Sequence, residues 1–562
     1  MGPIAPKDPV KQREFFYIML DKQISAAPAM NGGGVCVIYE NDERLVTSAK
    51  IVGNVTDESI HTLLRSAEGF RKLVYGIGVS VMCTEAEHCD FVFQFYGKGD
   101  PAASGTTIKQ RISTDGAEYL IPLAEADKHD DETIPGQIRF EFPKNGFLAS
   151  VNVRLFLNDG FKAPPFEEPD PIDTGSEAYK AMIANSVVAA DGTGRLGKLI
   201  KRAEAGEDIT VAFIGGSITQ GAGATPINTA CYTRRMFEAF EERYVKGGKA
   251  TYIKAGVGGT PSELGIVRYD RDVLADGKYS PDLVVIEFAV NDAGDETEGD
   301  CYEGLVRTAL NSPDKPAVIL IFSVFADDYN LEDRLIPIGE HYRLPMVSLK
   351  RAVTPQFYLP RGEGRVLAKN RYFYDVYHPA NIGHTIMAEC LMKVVEESEK
   401  AYTGGEPADL SDLPALRSAD FDNVHLIDRI QNRFGAVIDC GDFSETDKML
   451  QACEMNMDPG TTPEFPNNWM RTAGDRPFTM DVTCRRLLIV TKDSGDPADG
   501  RADVYVDGSF VKTVDPHIVG WTHCNSQIII REQESKPHHI EVRMHEGDEG
   551  KRFTILGFGI VG

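Results

Sequence analysis

The spacing of hydrophobic and polar residues divides the chain into three stretches of different character. Residues 35–160 contain short segments rich in β-branched and aromatic residues, such as VCVIYE, KLVYGIGVSVM and ASVNVRLFLNDG. Because no long helical pattern interrupts these segments, they predict a β-sandwich. The sequence FKAPPFEEPDPIDTG (161–175), dense in proline and acidic residues, then predicts a linker.

The second stretch, from residue 176 to about residue 402, alternates apolar runs with helical patterns. Helical patterns such as TRRMFEAFEERYV and NIGHTIMAECLMKVVEESEKAY accompany the runs. Continuous apolar strands that alternate with helices predict an α/β domain whose parallel sheet is covered on both faces. The runs that predict its strands are ITVAFIG (209–215), ATYIKAG (250–256), DLVVIEFAV (282–290), AVILIFSVF (317–325) and PMVSLK (345–350).

Strand patterns return after a second linker-like sequence, TGGEPADLSDLPAL. The segments RRLLIVTKD, SQIIIREQ and RFTILGFGIVG predict strands, and DVYVDGSFVKTV predicts a hairpin with an Asp-Gly turn. We therefore expect a second β-sandwich that contains both tryptophans of the chain. The predicted domains are residues 1–172, 173–403 and 404–562.

The net charge of the chain limits the kinds of molecule that it can bind. The 562 residues include 59 Lys and Arg against 85 Asp and Glu, which gives a formal net charge of -26. Such an acidic surface repels phosphate backbones and anionic lipid headgroups, so neither nucleic acid nor a membrane is expected as a partner. No run approaches the length of a membrane helix, and the start of the chain lacks the apolar core of a signal peptide.

The number and spacing of the cysteines indicate whether the protein works in a reducing or an oxidising compartment. The ten cysteines are scattered, and no pair reads CxxC. Cys83, His88 and Cys89 cluster, but a second half of a zinc site is missing from the sequence. We therefore expect free thiols, no metal, no cofactor and a cytoplasmic location.

Four segments could carry chemistry: three come after strands of the predicted parallel sheet, where ligands of such sheets gather, and the fourth precedes the last helix of the domain. They are IGGSITQGAGA with Ser217, KAGVGGTPSE with Gly259, EFAVNDAG with Asn291, and YFYDVYHPANIGH with Asp375 and His378. Each segment alone has a structural explanation, since tight turns and helix caps use the same residues. Together they supply the hydroxyl, base, carboxylate and amide donors that acyl transfer requires.

The turn around Ser217 does not fit three other glycine-rich motifs. A phosphate-binding loop needs Lys where Ala222 stands, and the elbow of α/β-hydrolases needs Gly where Thr219 stands. Neither glycine-rich turn provides the GxGxxG of a dinucleotide site.

The four segments, in this order over one α/β domain, resemble the conserved blocks of the SGNH (GDSL-like) hydrolase family. The resemblance implies a flavodoxin-like three-layer domain with a parallel sheet, here flanked by jelly-roll-like β-sandwiches. It also implies that Ser217 is the nucleophile, that His378 is the base and that Asp375 orients it. The amides of Ser217 and Gly259 and the side chain of Asn291 would form the oxyanion hole.

Some residues depart from the family pattern or invite a structural interpretation. Gly216 stands where the first block usually has Asp, Lys254 where the second has Asn, and Ala289 where the third has Gly. These departures indicate a divergent branch. We expect Arg268 and Glu287 to form a buried ion pair beneath the site, in preference to contacting the substrate.

Family members that combine this catalytic domain with β-sandwiches resemble carbohydrate esterases that remove O-acetyl groups from plant polysaccharides. The resemblance implies a serine esterase acting on acetylated xylo-oligosaccharides, with acetylated manno-oligosaccharides as the second choice. A lipase or thioesterase-like acylhydrolase is the alternative enzyme, and a non-catalytic carbohydrate-binding protein is the alternative of another class. Trp469 and Trp521 either pack the C-terminal core or bind sugar.

Overall fold

The computed structural model describes residues 13–29, 32–39, 42–98, 104–126, 128–166, 171–456 and 462–562. The start of the chain and residues 167–170 of the predicted linker therefore lie outside the described residues. The chain divides into two compact units, residues 1–172 with 360–383, and residues 173–359 with 384–562. Within the described ranges, no helix has the length and apolar composition needed to cross a membrane.

Two antiparallel sheets build the N-terminal part of the first unit. Their orders are β1-β9-β4-β7 and β2-β3-β8-β5-β6, and inward side chains of both sheets, such as Val79 and Phe93, share one core. The predicted N-terminal β-sandwich is confirmed, whereas α1, α2 and α3 were not predicted. The elements are β1 (Phe15–Ser25), β2 (Ala27–Pro28), β3 (Gly34–Tyr39), α1 (Asp42–Ile51), α2 (Glu58–Leu64), α3 (Ala67–Leu73), β4 (Val74–Met82), β5 (His88–Tyr96), β6 (Thr106–Ser113), β7 (Tyr119–Pro122), β8 (Ile134–Phe142) and β9 (Leu148–Leu157).

The α/β domain follows. Its sheet has the order β10-β15-β14-β13-β11-β12, and all neighbours are parallel except β10 and β15. The elements are α4 (Glu177–Ala184), β10 (Val187–Ala189), α5 (Arg195–Glu204), β11 (Ile209–Gly215), α6 (Ser217–Gln220), α7 (Ile227–Ala230), α8 (Tyr232–Tyr244), β12 (Ala250–Gly256), α9 (Ser262–Asp272), β13 (Leu283–Glu287), α10 (Asp300–Leu310), β14 (Ala317–Phe322), α11 (Glu332–His341), β15 (Met346–Ser348), α12 (Leu349–Phe357), α13 (Lys369–Tyr372) and α14 (Asn381–Ala401).

The strand order of this sheet identifies where a ligand should bind. From β11 the chain passes to β12 on one side and then to β13 on the other, as in flavodoxin-like domains. In such sheets the ligand crevice lies outside the carboxyl ends of the strands at this switch point. The residues at those ends are Gly215, Gly256 and Glu287, and the predicted site segments come directly after them.

An antiparallel sheet forms the C-terminal region. Its main path is β16-β25-β21-β24-β22-β23, with β17 paired to β21 and β20 paired to β25. The predicted Asp-Gly hairpin joins β22 to β23, and both turn residues, Asp507 and Gly508, have positive φ. The elements are β16 (His425–Ile427), β17 (Val437–Asp439), β18 (Ala452–Cys453), β19 (Thr462–Pro463), β20 (Trp469–Arg471), β21 (Phe478–Asp493), β22 (Ala502–Val506), β23 (Ser509–Val514), β24 (His523–Met544) and β25 (Phe553–Val561).

One hydrophobic core extends from the α/β domain into this C-terminal region. Leu264 and Val267 of α9 belong to the same buried cluster as Leu488 of β21 and Leu556 of β25. At Gly559, an added Cβ atom would lie 2.6 Å from Val267, so the strand packs closely on the helix. The C-terminal region is therefore packed onto the α/β domain through α9.

Candidate active site

The turn that carries Ser217 is held by close packing. β11 ends at Gly215, α6 begins at Ser217, and the serine side chain is half-buried. A Cβ atom at Gly215 would lie 2.2 Å from Thr219 Oγ1, and one at Gly216 would lie 2.3 Å from Asn291 Oδ1. Gly216 therefore lets the Asn291 side chain approach the backbone directly before Ser217. It stands where the first block of the family usually has Asp.

The three predicted oxyanion-hole residues follow three neighbouring strands, β11, β12 and β13. Gly259 has a φ of +73°, a conformation that side chains rarely adopt. A Cβ atom at Gly258 would lie 3.8 Å from Ser217 Cβ, so this turn lies beside the serine. Asn291 is anchored by its N–H, which donates to the Phe288 carbonyl at 2.9 Å. The structure thus brings Ser217, Gly259 and Asn291 to one edge of the sheet.

Asp292 is a structural residue of this site. Its carboxylate accepts hydrogen bonds from the Ser262 N–H at 2.8 Å and the Ser262 hydroxyl at 2.9 Å. These bonds join the turn that follows β13 to the first turn of α9 and occupy a free donor of that helix. Burial, together with the negative charge of Asp295, raises the pKa of Asp292 well above its usual value.

The predicted ion pair between Arg268 and Glu287 is wrong. The fully buried Arg268 side chain donates to the carbonyls of Ala255 and Gly215 at 2.8 and 2.9 Å, and it also bonds Asp272 at 3.1 Å. Asp272 lies one helical turn away on α9 and supplies the nearer counter-charge. Arg268 therefore holds the ends of β11 and β12, directly before the turns that carry Ser217 and Gly259.

The pair Asp375 and His378 belongs to the first compact unit. The Asp375 carboxylate lies 2.9 Å from His378 Nδ1 and accepts the backbone N–H groups of Tyr377 and His378, both at 2.8 Å. Burial alone would raise the pKa of Asp375, but the charge and hydrogen bond of His378, the Tyr377 N–H and the charge of Lys22 lower it to about 2. When Nδ1–H donates to this carboxylate, Nε2 is left to exchange a proton with substrate groups.

Side chains from the C-terminal region lie against the Gly258–Gly259 turn. His523 Nε2 is 3.2 Å from the Gly259 carbonyl, and the Gln451 amide donates to the Gly258 carbonyl at 2.9 Å. A Cβ atom at Gly259 would lie 3.1 Å from both His523 Nε2 and Trp521 Cζ2. Burial lowers the pKa of His523 to about 4, so the neutral ring donates this bond at neutral pH. No motif in the sequence identifies His523 or Gln451.

The two tryptophans occupy different environments. Trp469 is 4% exposed and packs against Phe478 and Phe558, with ring centroids 5.2 and 6.2 Å away. Trp521 is 47% exposed, and its ring lies 4.7 Å from the His523 ring. Trp469 is therefore a core residue, whereas Trp521 presents an open aromatic surface next to Gly259.

Lys254, which departs from the family pattern, binds the helix that starts at Ser217. Its ammonium group donates to the Gln220 carbonyl at 2.8 Å and to Asn228 Oδ1 at 2.7 Å. Burial lowers the pKa of Lys254. The Gln220 side chain donates in turn to Glu454 of the C-terminal region. The end of α6 is thus fixed from both sides.

Comparison with known proteins identifies the family of the α/β domain. Residues 213–386 match the GDSL-like lipase/acylhydrolase family, and this range includes all five predicted catalytic and oxyanion-hole residues. The α/β domain is therefore an SGNH (GDSL-like) hydrolase domain, and the protein is a carboxylic ester hydrolase. No curated protein matches this chain.

Two crystal structures of a two-domain esterase (CEX) active on acetylated mannans, one of them co-crystallised with mannopentaose, are similar to this chain. They are 28% and 26% identical to it with a TM-score of 0.56, and each match covers 68% of this chain and 99% or 98% of theirs. Because the α/β domain makes up less than half of the chain, these matches extend beyond it. Axe2, an acetylxylan esterase from Geobacillus stearothermophilus, matches 34% of this chain and 96% of its own at 20% identity, with a TM-score of 0.27.

Proposed function

We propose that this protein is a serine esterase that removes O-acetyl groups from carbohydrates. The observation that carries the proposal is the meeting of Ser217, Gly259 and Asn291 where three neighbouring strands of a GDSL-like sheet end. The Asp375–His378 pair supplies the remaining chemistry. Similarity across more than the catalytic domain to an esterase active on acetylated mannans supports a carbohydrate ester as the substrate.

The proposed reaction proceeds through an acyl-enzyme. Ser217 Oγ attacks the acetyl carbonyl carbon as its proton passes to His378 Nε2, which gives a tetrahedral intermediate. The C–O bond to the sugar then breaks, and the leaving alkoxide takes the proton from His378. Water attacks the acetyl-serine in the same way and releases acetate. Asp375 holds the imidazole in the required tautomer and stabilises its cation.

The oxyanion would be stabilised by the N–H groups of Ser217 and Gly259 and by the Asn291 amide. Removal of one such donor typically costs about 2.7 to 4 kcal/mol of transition-state stabilisation. Two hydrogen bonds hold the backbone next to these donors. The Arg268 side chain donates to the Gly215 carbonyl, and the His523 ring donates to the Gly259 carbonyl. Rigid donors of this kind need little reorganisation during the reaction.

For the sugar, we propose acetylated manno-oligosaccharides, ahead of the xylo-oligosaccharides that the sequence alone favours. The mannan-active esterase is similar over 68% of this chain, so the likeness reaches into a region that can shape the substrate site. Trp521 supports a sugar substrate because it is 47% exposed beside Gly259. The flat apolar face of a sugar ring packs well against such an aromatic side chain.

The test is acetate release from acetylated manno- and xylo-oligosaccharides of defined structure. We expect release by the wild type and by Ser280→Ala, which changes an exposed serine outside the motifs, and no release by Ser217→Ala. Faster release from the manno-oligosaccharides supports the proposed sugar, and faster release from the xylo-oligosaccharides overturns that part. Absence of release from both, or activity on nitrophenyl esters that rises with acyl chain length, would favour a lipase or thioesterase-like enzyme.

A further inference from the structure

The strands of the N-terminal β-sandwich all precede residue 213, where the match to the GDSL-like family begins. Nevertheless, residues 360–383, which carry Asp375 and His378, belong to the same compact unit as this sandwich. The contacts between the sandwich and that segment therefore bear on the reaction.

Lys22 of β1 contacts the residue that precedes Asp375. Its ammonium nitrogen donates to the Tyr374 carbonyl at 3.4 Å and lies 3.5 Å from the centre of the Tyr374 ring. A cation over an aromatic ring is attracted by about 0.5 to 2 kcal/mol, with the larger value where water is excluded. Lys22 is half-buried in this position, and burial lowers its pKa to about 8.

The contacted residue belongs to the turn that forms the catalytic pair. The Tyr374 N–H donates to the His378 carbonyl at 2.8 Å, so Tyr374 and His378 close the two ends of the turn. The positive charge of Lys22 also favours the ionised form of Asp375 and contributes to its low pKa. Lys22 thus acts on the pair in two ways, through the position of the turn and through its charge.

The backbone of β1 is shaped to present Lys22. The pairing of β1 with β9 has an irregularity between Met19 and Lys22, and Asp21 within it has a φ of +46°. The Asp21 N–H donates to Asn152 Oδ1 of β9 at 2.8 Å. Such bulges redirect side chains and are common beside active sites. A second contact supports the same segment, since Arg371 Nη1 lies 3.5 Å from Asp21 Oδ2.

We propose that Lys22 is a positioning residue for the Asp375–His378 pair, and that the N-terminal β-sandwich is through it a working part of the esterase. The proposal rests on the proposed function, because it takes this pair as the acid-base machinery. It predicts a defect in the chemical step. Substrate binding and the fold would change little.

The experiment compares Lys22→Met, Lys22→Arg and the wild type with 4-nitrophenyl acetate in the full-length protein. We expect Lys22→Met to lower kcat by about 10- to 100-fold, as small misplacements of catalytic groups do, with KM within about twofold of the wild type. Lys22→Arg keeps the charge and the donor and should restore most of kcat. Lys162→Met, at a lysine of the same unit whose side chain is 84% exposed, is the matched control and should leave kcat unchanged.

The outcomes separate this proposal from the proposed function. An inactive Ser217→Ala together with wild-type kcat in Lys22→Met overturns only the positioning role, whereas wild-type activity in Ser217→Ala overturns the function itself. A loss of kcat that Lys22→Arg does not restore, accompanied by a lower melting temperature in both variants, shows a purely structural lysine and also overturns the proposal. Should Lys22→Met not fold, Lys22→Gln, which keeps a donor without the charge, replaces it with the same expected loss of kcat.

Discussion

Replacement of Gly259 by alanine tests the oxyanion hole most directly. A φ of +73° costs a residue with a Cβ atom about 1 to 2 kcal/mol. The new methyl group would also lie 3.1 Å from His523 Nε2 and from Trp521 Cζ2. Trp521 is 47% exposed and can move away, whereas His523 is only 5% exposed and already bonds the Gly259 carbonyl. The backbone must therefore rotate, and its N–H with it.

We expect Gly259→Ala to lower kcat on 4-nitrophenyl acetate by about 100-fold or more, since loss of one oxyanion donor costs about 2.7 to 4 kcal/mol. The free energy of unfolding should fall by about 1 to 2 kcal/mol from backbone strain. Gly258→Ala is the matched control. Its Cβ atom would lie 3.0 Å from the end of the flexible Gln220 side chain and at an ordinary 3.8 Å from Gln451 Nε2 and Ser217 Cβ, so kcat should stay within about threefold. Wild-type kcat in Gly259→Ala, or equal losses in both variants, would refute the assignment of Gly259.

Further predictions concern the tryptophans, a buried acid and the C-terminal region. Trp521→Ala should raise KM for acetylated oligosaccharides without changing kcat/KM for 4-nitrophenyl acetate, and equal effects on both substrates would contradict a sugar-binding role. Trp469→Ala should lower the free energy of unfolding by about 3 to 5 kcal/mol in denaturant titrations, as other core aromatic truncations do. Burial, with the charge of Asp295, raises the pKa of Glu263 to about 9, so its stabilising contribution is complete below pH 4.5 and is lost as the pH rises towards 9. Glu263→Gln should therefore gain in melting temperature relative to the wild type as the pH is raised from 5 to 8.5, and a constant difference would contradict this. A chain that ends at residue 403 should be insoluble or unfolded by circular dichroism, because it exposes α9.

The α/β domain was predictable from sequence because its strands are buried on both faces. β11 and β12 occupy the predicted residues, 209–215 and 250–256. Continuous apolar runs of this kind are hard to confuse with amphipathic surface elements. The motifs of Ser217, Gly259 and Asn291 were visible for a related reason, since each follows a strand end where polar residues and glycines interrupt the apolar pattern. Asp375 and His378 follow a short helix, and only their DxxHP spacing before the last helix of the domain made them visible.

Short helices and long-range contacts were harder to predict from the sequence. α2 and α3 have seven residues each, too few for the helical period to repeat clearly. The contact of Lys22 with Tyr374 joins residues 352 positions apart, and that of His523 with Gly259 joins residues 264 apart. No local pattern encodes such pairs. The predicted partner of Arg268 was wrong for the same reason, because several acidic residues could reach it and only the fold selects Asp272.

The C-terminal region is bound to the catalytic domain by charge as well as by its shared core. Glu464 pairs with Arg271 of α9, Arg271 bonds Asp272 at 2.6 Å, and Asp272 bonds Arg268, which holds the Gly215 carbonyl before Ser217. Removing one partner of a buried ion pair costs about 3 to 5 kcal/mol, since the other charge is left uncompensated. The chain of bonds from Glu464 to Gly215 therefore ties the placement of the C-terminal region to the backbone that presents Ser217. A carbohydrate-binding module that is attached only by a flexible linker would lack these bonds. Such a module could not help to hold the turn that carries Ser217.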